Sequence, residues 1–177
     1  MRDTTASLGP LQRNDGRWEL GHSRRPGGGA WVEFREEGLT AHARDGAEEV
    51  LPWPRILLGI DVVVGKGSAK GENISPAGLL GGLPGPLSGH FGGRLLMTLR
   101  RPHENRAVYF DRHPRWYRVT DVHVLETFLR HLVATGDAHR LADPAWLDRV
   151  VTRLTGHRML TSRRAVQRAV AEAARGS

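Results

Sequence analysis

Ala30-Trp31-Val32-Glu33-Phe34-Arg35-Glu36-Glu37-Gly38-Leu39-Thr40-Ala41-His42-Ala43 is the stretch that decides the fold class. Val32 and Phe34 alternate with polar or amphipathic neighbours, the period of a strand with one face buried. Glu36-Glu37-Gly38 then makes a turn, and Leu39 to Ala43 resumes the alternation, so the segment is a hairpin. Asp45-Gly46 is a second tight-turn signal, because both residues tolerate the positive φ such turns demand. Glu49 to Trp53 follows as a third strand, ended by Pro52 and Pro54 around Trp53. Upstream, Arg17 to Gly21 supplies another strand, and Arg24-Arg25-Pro26-Gly27-Gly28-Gly29 reads as a loop. Short turns between alternating segments predict an antiparallel sheet of about five to seven strands. Trp31 and Trp53 lie in or beside its apolar segments and are expected as core aromatics.

Beyond this core Ile56 to Val64 is apolar and β-branched enough for a buried strand. The composition then changes: ten of the chain's 22 glycines fall between Gly65 and Gly93, with three prolines, which predicts a long loop. Arg94 to Arg100 and Arg106 to Asp111 form a further hairpin across Pro102-His103-Glu104-Asn105. The rest is helical. Thr120 and Asp121 precede an apolar stripe of Val122, Leu125, Leu129, Leu132 and Val133, and Gly136 stops it. Asp143-Pro144 opens a second helix striped by Leu147, Val150, Val151 and Leu154, and Gly156 closes it. Ser162 caps a third, whose stripe of Val166, Ala169, Val170 and Ala173 is thin enough to predict cheap removal.

At 177 residues the chain needs no staple for its core, and with no cysteine it has neither disulfides nor thiolate chemistry. No apolar run approaches the roughly 20 residues of a membrane-spanning helix, and the start shows no leader, so a cytoplasmic location is expected. The net charge of +7 is unevenly placed: residues 100–119 hold six basic and two acidic side chains, and residues 156–177 hold five and one. Of the 26 basic residues all but Lys66 and Lys70 are arginine, a bias that fits a GC-rich bacterial genome and weakens any argument from arginine number alone.

No catalytic motif has its required spacing. Gly59 and Gly65-Lys66-Gly67 have one residue too many for a phosphate loop and lack its Ser or Thr. The run Gly65 to Gly71 is one residue too long for a dinucleotide fingerprint, and Pro86 stands where a nucleophile elbow at Ser88 needs glycine. None of the nine histidines pairs with another at i, i+4 on a helix, so no metal site and no cofactor is expected. Two surfaces are candidates for binding. Arg100, Arg101, Arg106, Arg115 and Arg118 surround Trp116, the pairing that tracks phosphates and stacks bases, and Arg163, Arg164 and Arg168 add a basic helix. The same residues also fit a solvated hairpin tip with Trp116 closing the core, and a soluble terminal helix. Leu79, Leu80, Leu83, Leu87 and Phe91 in the long loop form either a partner surface or a covered flap.

The order of elements resembles that of bacterial pleckstrin-homology-like domains: a hairpin, a strand running through Glu49-Val50-Leu51-Pro52-Trp53-Pro54-Arg55-Ile56, further strands, then Tyr117-Arg118-Val119 leading into a closing helix. The resemblance covers residues 18–136 and implies an antiparallel barrel or curved sheet closed by a helix, binding peptides, proteins or lipid head groups without catalytic residues. The expected organisation is a flexible arm over 1–16, this α+β unit over 17–136 with its glycine-rich insertion at 65–93, and a helical extension over 137–177. The expected function is a non-enzymatic interaction module that binds a protein partner or its own copy through a barrel edge and the long loop. The alternative is a nucleic-acid-binding regulator using segments 100–118 and 157–177.

Overall fold

A computed structural model describes residues 7–24, 28–64, 86–88, 92–111, 116–156 and 163–175. The first six strands form one antiparallel meander in chain order: β1 (Ser7–Leu8), β2 (Leu11–Asn14), β3 (Arg17–Gly21), β4 (Trp31–Phe34), β5 (Gly38–His42) and β6 (Glu48–Pro52). β7 (Ile56–Val64), β9 (Gly93–Leu99) and β10 (Glu104–Phe110) make a second antiparallel sheet in the order β10-β9-β7, and β8 (Pro86–Ser88) pairs with β11 (Trp116–Arg118). Helix α1 (Val119–Thr135) follows, then a 3-10 turn (Ala138–Ala142), α2 (Pro144–Gly156) and α3 (Arg163–Arg175). The α+β class and the antiparallel order are as expected, with more strands, and β8 and β11 pair where the sequence showed only loop.

No barrel closes among the described residues. The sequence gives the reason at Pro52-Trp53-Pro54-Arg55, where a 3-10 turn (Trp53–Arg55) replaces a hairpin. The two prolines supply no N–H to a ladder. Trp53 N–H bonds Glu37 O at 3.2 Å, and its indole Nε1 donates to Arg35 O at 2.9 Å. The corner is pinned to the β4–β5 turn, and β7 leaves to pair with β9. Trp53 is a half-buried corner post packed against the core, and Trp31 is half-buried on the other face. The core tryptophans are instead Trp18 and Trp146, 3% and 2% exposed.

The expected arm is part of the fold from Ser7 onward; residues 1–6 lie outside the described set. Asp15 and Gly16 have φ of 50° and 78°, so Asn14-Asp15-Gly16-Arg17 is a two-residue hairpin loop of the kind that demands positive φ twice. Leu8 and Leu11 are fully buried. Arg13 pairs with Asp148 of α2, and Trp18 Nε1 donates to the same carboxylate at 3.0 Å, so the N-terminal strands hold the helical layer.

Helix α1 lies along β7. Gly59 sits in a bulge of that strand with φ of 99°, and a Cβ there would come within 2.8 Å of Arg130 Cγ, so only glycine lets the helix approach this closely. Buried Glu126 accepts the Val62 N–H at 3.1 Å, and Arg130 pairs with Asp61. Helix α3 packs on α1 and α2. Val166, Ala169, Val170, Ala173 and Ala174 join the same continuous core as Leu11, Phe128 and Leu147. The described residues of the 3-10 turn, α2 and α3 therefore contribute to the same main core.

This overturns the expectation that α3 is cheap to remove. Its small side chains are individually modest, but each buried valine contributes about 1.5–3 kcal/mol, and removal also exposes the apolar side chains beneath it. Truncation after Gly156 is expected to lower Tm by about 10 °C or more, at the usual 2–4 °C per kcal/mol for a chain of this size. Differential scanning calorimetry checks this; a fall of only a few degrees would return α3 to the status of an appendage.

Candidate interaction surface

β6 is the last strand of the meander, and among the described residues no strand pairs with its outer side. The direction of its backbone groups follows from the hairpin register. Ala43 N–H bonds Ala47 O at 2.8 Å, and Trp53 N–H bonds Glu37 O, while His42, Thr40 and Gly38 face Glu48, Val50 and Pro52. Antiparallel pairs alternate between bonded and non-bonded. Glu49 and Leu51 therefore bond inward to β5, and Glu48 and Val50 point both N–H and C=O outward, away from the sheet. Pro52 offers no outward N–H, and as the N-cap of the 3-10 turn its carbonyl takes the first bond of that turn. Residues 43–50 are exposed, Val50 by 40%. A row of unpaired backbone groups beside an exposed apolar side chain is a template for another extended chain.

The side chains beside this edge form a network rather than a solvated surface. Register places Glu19, Glu33, Thr40 and Val50 in one cross-strand row, and Trp31, His42 and Glu48 in the next. The His42 ring stacks on Trp31 with centroids 3.7 Å apart and parallel planes. Its Nε2 lies 3.2 Å from Glu33 Oε2 and its Nδ1 lies 3.2 Å from Glu48 Oε1, so the ring links β4 to β6 across β5. Glu33, 8% exposed, also takes Arg35 at 3.0 Å and Arg17 at 3.4 Å. Burial alone would raise the Glu33 carboxyl, but hydrogen bonds and charge from Arg35, then His42 and Arg17, outweigh it and hold the carboxyl below its ordinary value. On the other side of β6, Glu49 pairs with Arg106 of β10, and this hydrogen-bonded contact raises the Arg106 guanidinium further. The acids of the edge strand are thus engaged by His42, Arg35 and Arg106, leaving Val50 as its exposed apolar residue.

The basic residues singled out from sequence do not converge. β9 pairs Leu99 with Ile56 and Gly93 with Val64, and α1 runs along β7 with Glu126 at Val62 and Arg130 at Asp61. Arg100 and Arg101 are exposed at one end of this layer, and exposed Arg118, beside the N-terminus of α1, lies at the other. A seven-residue strand separates them by roughly 20 Å. Arg106 is engaged with Glu49. Arg115 is outside the described residues, and Trp116 is placed only as backbone, its Cα partner being Ser88. Arg164 and Arg168 are exposed one turn apart on α3; Arg163 begins that helix, and its side chain is not described. Of the loop residues, Leu87 lies in β8, while Leu79, Leu80, Leu83 and Phe91 fall outside the described set. Among the described residues there is no cluster of three or more metal-ligating side chains, and no helix is long and apolar enough to cross a membrane.

No family model matches the chain, and no curated protein or solved structure matches it significantly.

The network makes a pH prediction. A carboxyl with a depressed folded pKa contributes stability that is complete above its unfolded value, about 4.3, and is lost as pH falls through the lower folded value. Glu33→Gln is expected to cost about 1–3 kcal/mol at neutral pH, because it leaves charged donors without their carboxylate. The gap between parent and variant should narrow as pH falls below the unfolded value. Urea unfolding across a pH series checks this; a gap independent of pH would show that the charge of Glu33 is not what the network uses.

Proposed function

We propose that the protein is a non-enzymatic interaction module that takes an extended segment of a partner protein alongside β6. The observation that carries this reading is the outward set of backbone groups at Glu48 and Val50 on a strand that ends its sheet among the described residues. β-strand addition draws affinity from such groups and specificity from alternate side chains. An added strand would gain the N–H and C=O of Glu48 and Val50, with its own apolar side chain beside Val50. The His42 and Arg106 contacts hold the edge in place before binding, which lowers the ordering cost that a flexible edge would add. The resemblance to pleckstrin-homology-like domains supports the same reading at the level of element order.

A second copy of the chain is the less favourable occupant. A two-fold pairing centred on Val50 would place Glu48 opposite Pro52, whose missing N–H leaves the Glu48 carbonyl unmatched on each side. A five-residue strand alone also falls far short of the roughly 1,200–2,000 Å² of a stable interface.

Val50→Pro separates this function from stability. It removes an outward N–H and leaves the inward bonds of Glu49 and Leu51 to β5 untouched, a position where proline is tolerated. Short random peptides displayed as a library and selected on the folded protein are expected to yield binders that shift the Glu48 to Val50 amides. Val50→Pro should weaken those binders by about tenfold or more with Tm changed by only a few degrees. Failure to select any binder, or binders indifferent to Val50→Pro, would overturn the proposal.

A further inference from the structure

Away from β6, a cavity of about 410 Å³ opens between the β4–β5 turn and the helical layer. Its walls differ in origin and in charge. The sheet contributes exposed Glu36, and the 3-10 turn and α2 contribute His139, Arg140, Ala142, Asp143, Trp146 and Arg149. Asp143 is committed: its Oδ1 caps α2 by accepting the N–H groups of Ala145 and Trp146 at 3.0 and 3.1 Å. The arginines and His139 are differently placed. Arg140 lies flat over the Trp146 ring, 4.4 Å from its centroid, and donates to Ala174 O at 3.2 Å, so its charge is fixed in position. His139 Nδ1 lies 3.2 Å from Gly136 O, which it reaches by donating, so Nε2 is left for another contact. Arg149 is exposed and has no ion pair among the described residues.

Trp146 adds an independent observation. It is 2% exposed, its ring contacts Arg140 and Phe128, and among the described residues its buried indole N–H has no acceptor. Buried donors are normally paired, and an unpaired one is kept where something else is gained. The Trp146 ring lies under the Arg140 guanidinium at the cavity.

We infer that this cavity binds a small zwitterion, of the size of an α-amino acid or a dipeptide. The carboxylate would lie against Arg149 and Arg140, where a planar guanidinium can bind both oxygens, and the ammonium would lie toward Glu36. A simple anion would use only the cationic wall and would meet the field of Glu36. A zwitterion uses both walls, and the cavity has room for one.

The test is a titration of isotope-labelled protein, followed by amide chemical shifts, with free amino acids and dipeptides, and with acetate and methylamine as half-ligands. At least one zwitterion is expected to shift Ala142, Trp146 and Arg149 saturably, and acetate and methylamine should bind about tenfold or more weakly. Glu36→Ala and Arg149→Ala, both at exposed positions, should each weaken that zwitterion by about tenfold while leaving the remaining spectrum unchanged. The tighter of the amino acid and dipeptide series identifies the source of the ligand. No saturable shift with any zwitterion, or acetate binding as well as zwitterions and indifferent to Glu36→Ala, would overturn the proposal.

Discussion

The corner at Pro52-Trp53-Pro54 is the constraint on which the rest of the architecture depends. Two prolines without N–H groups bracket a tryptophan whose backbone and indole donors are both spent on the β4–β5 turn. The chain therefore cannot run from β6 into a hairpin partner for β6. β7 goes to the second sheet, α1 settles over it through the Gly59 bulge and Glu126, and the N-terminal strands meet α2 through Asp148. One core results, and among the described residues no strand covers the outer side of β6 at the end of the meander.

An open edge is a liability unless the protein manages it, and β6 carries the usual devices: two glutamates and a proline. What distinguishes this edge is that its acids are already engaged. His42 and Arg35 hold Glu48, and Arg106 holds Glu49. Their charge therefore opposes an incoming strand less than two free carboxylates would, while the fixed side chains present a defined surface. Buried Glu33 is the anchor of that arrangement, since Arg17, Arg35 and His42 all converge on it.

Much of the fold was legible in local pattern. The β4–β5 hairpin, the strand before Trp53, the long strand from Ile56 and the helix boundaries at Asp143 and Gly136 all follow from alternation, turn chemistry and caps. Other features depend on tertiary pairing. Asp15-Gly16 carried the same turn signal as Asp45-Gly46, but the short, polar β2 gave no period to read beside it. No local pattern marked Trp18 as core, because the Asp148 that accepts its indole N–H lies 130 positions away. Valine and alanine on α3 looked weak because the value of a small residue is set by what it packs against. The β6 site was half legible: Pro52 and Val50 stood out, but Glu33, His42 and Glu48 come together only through strand register, and each alone reads as a solvated polar residue. In the basic block, Arg100 and Arg118 are near in sequence but lie at opposite ends of one layer.

Residue-resolved amide hydrogen exchange on the unliganded protein tests the central claim most directly, because it reports the pairing of each backbone N–H of β6 separately. Glu48 and Val50 should exchange near the rate of an unstructured peptide, while Glu49 and Leu51, bonded inward to β5, should be strongly protected. Protection of Val50 comparable to that of Leu51 would mean that the outer side of β6 is already occupied, and would contradict the account.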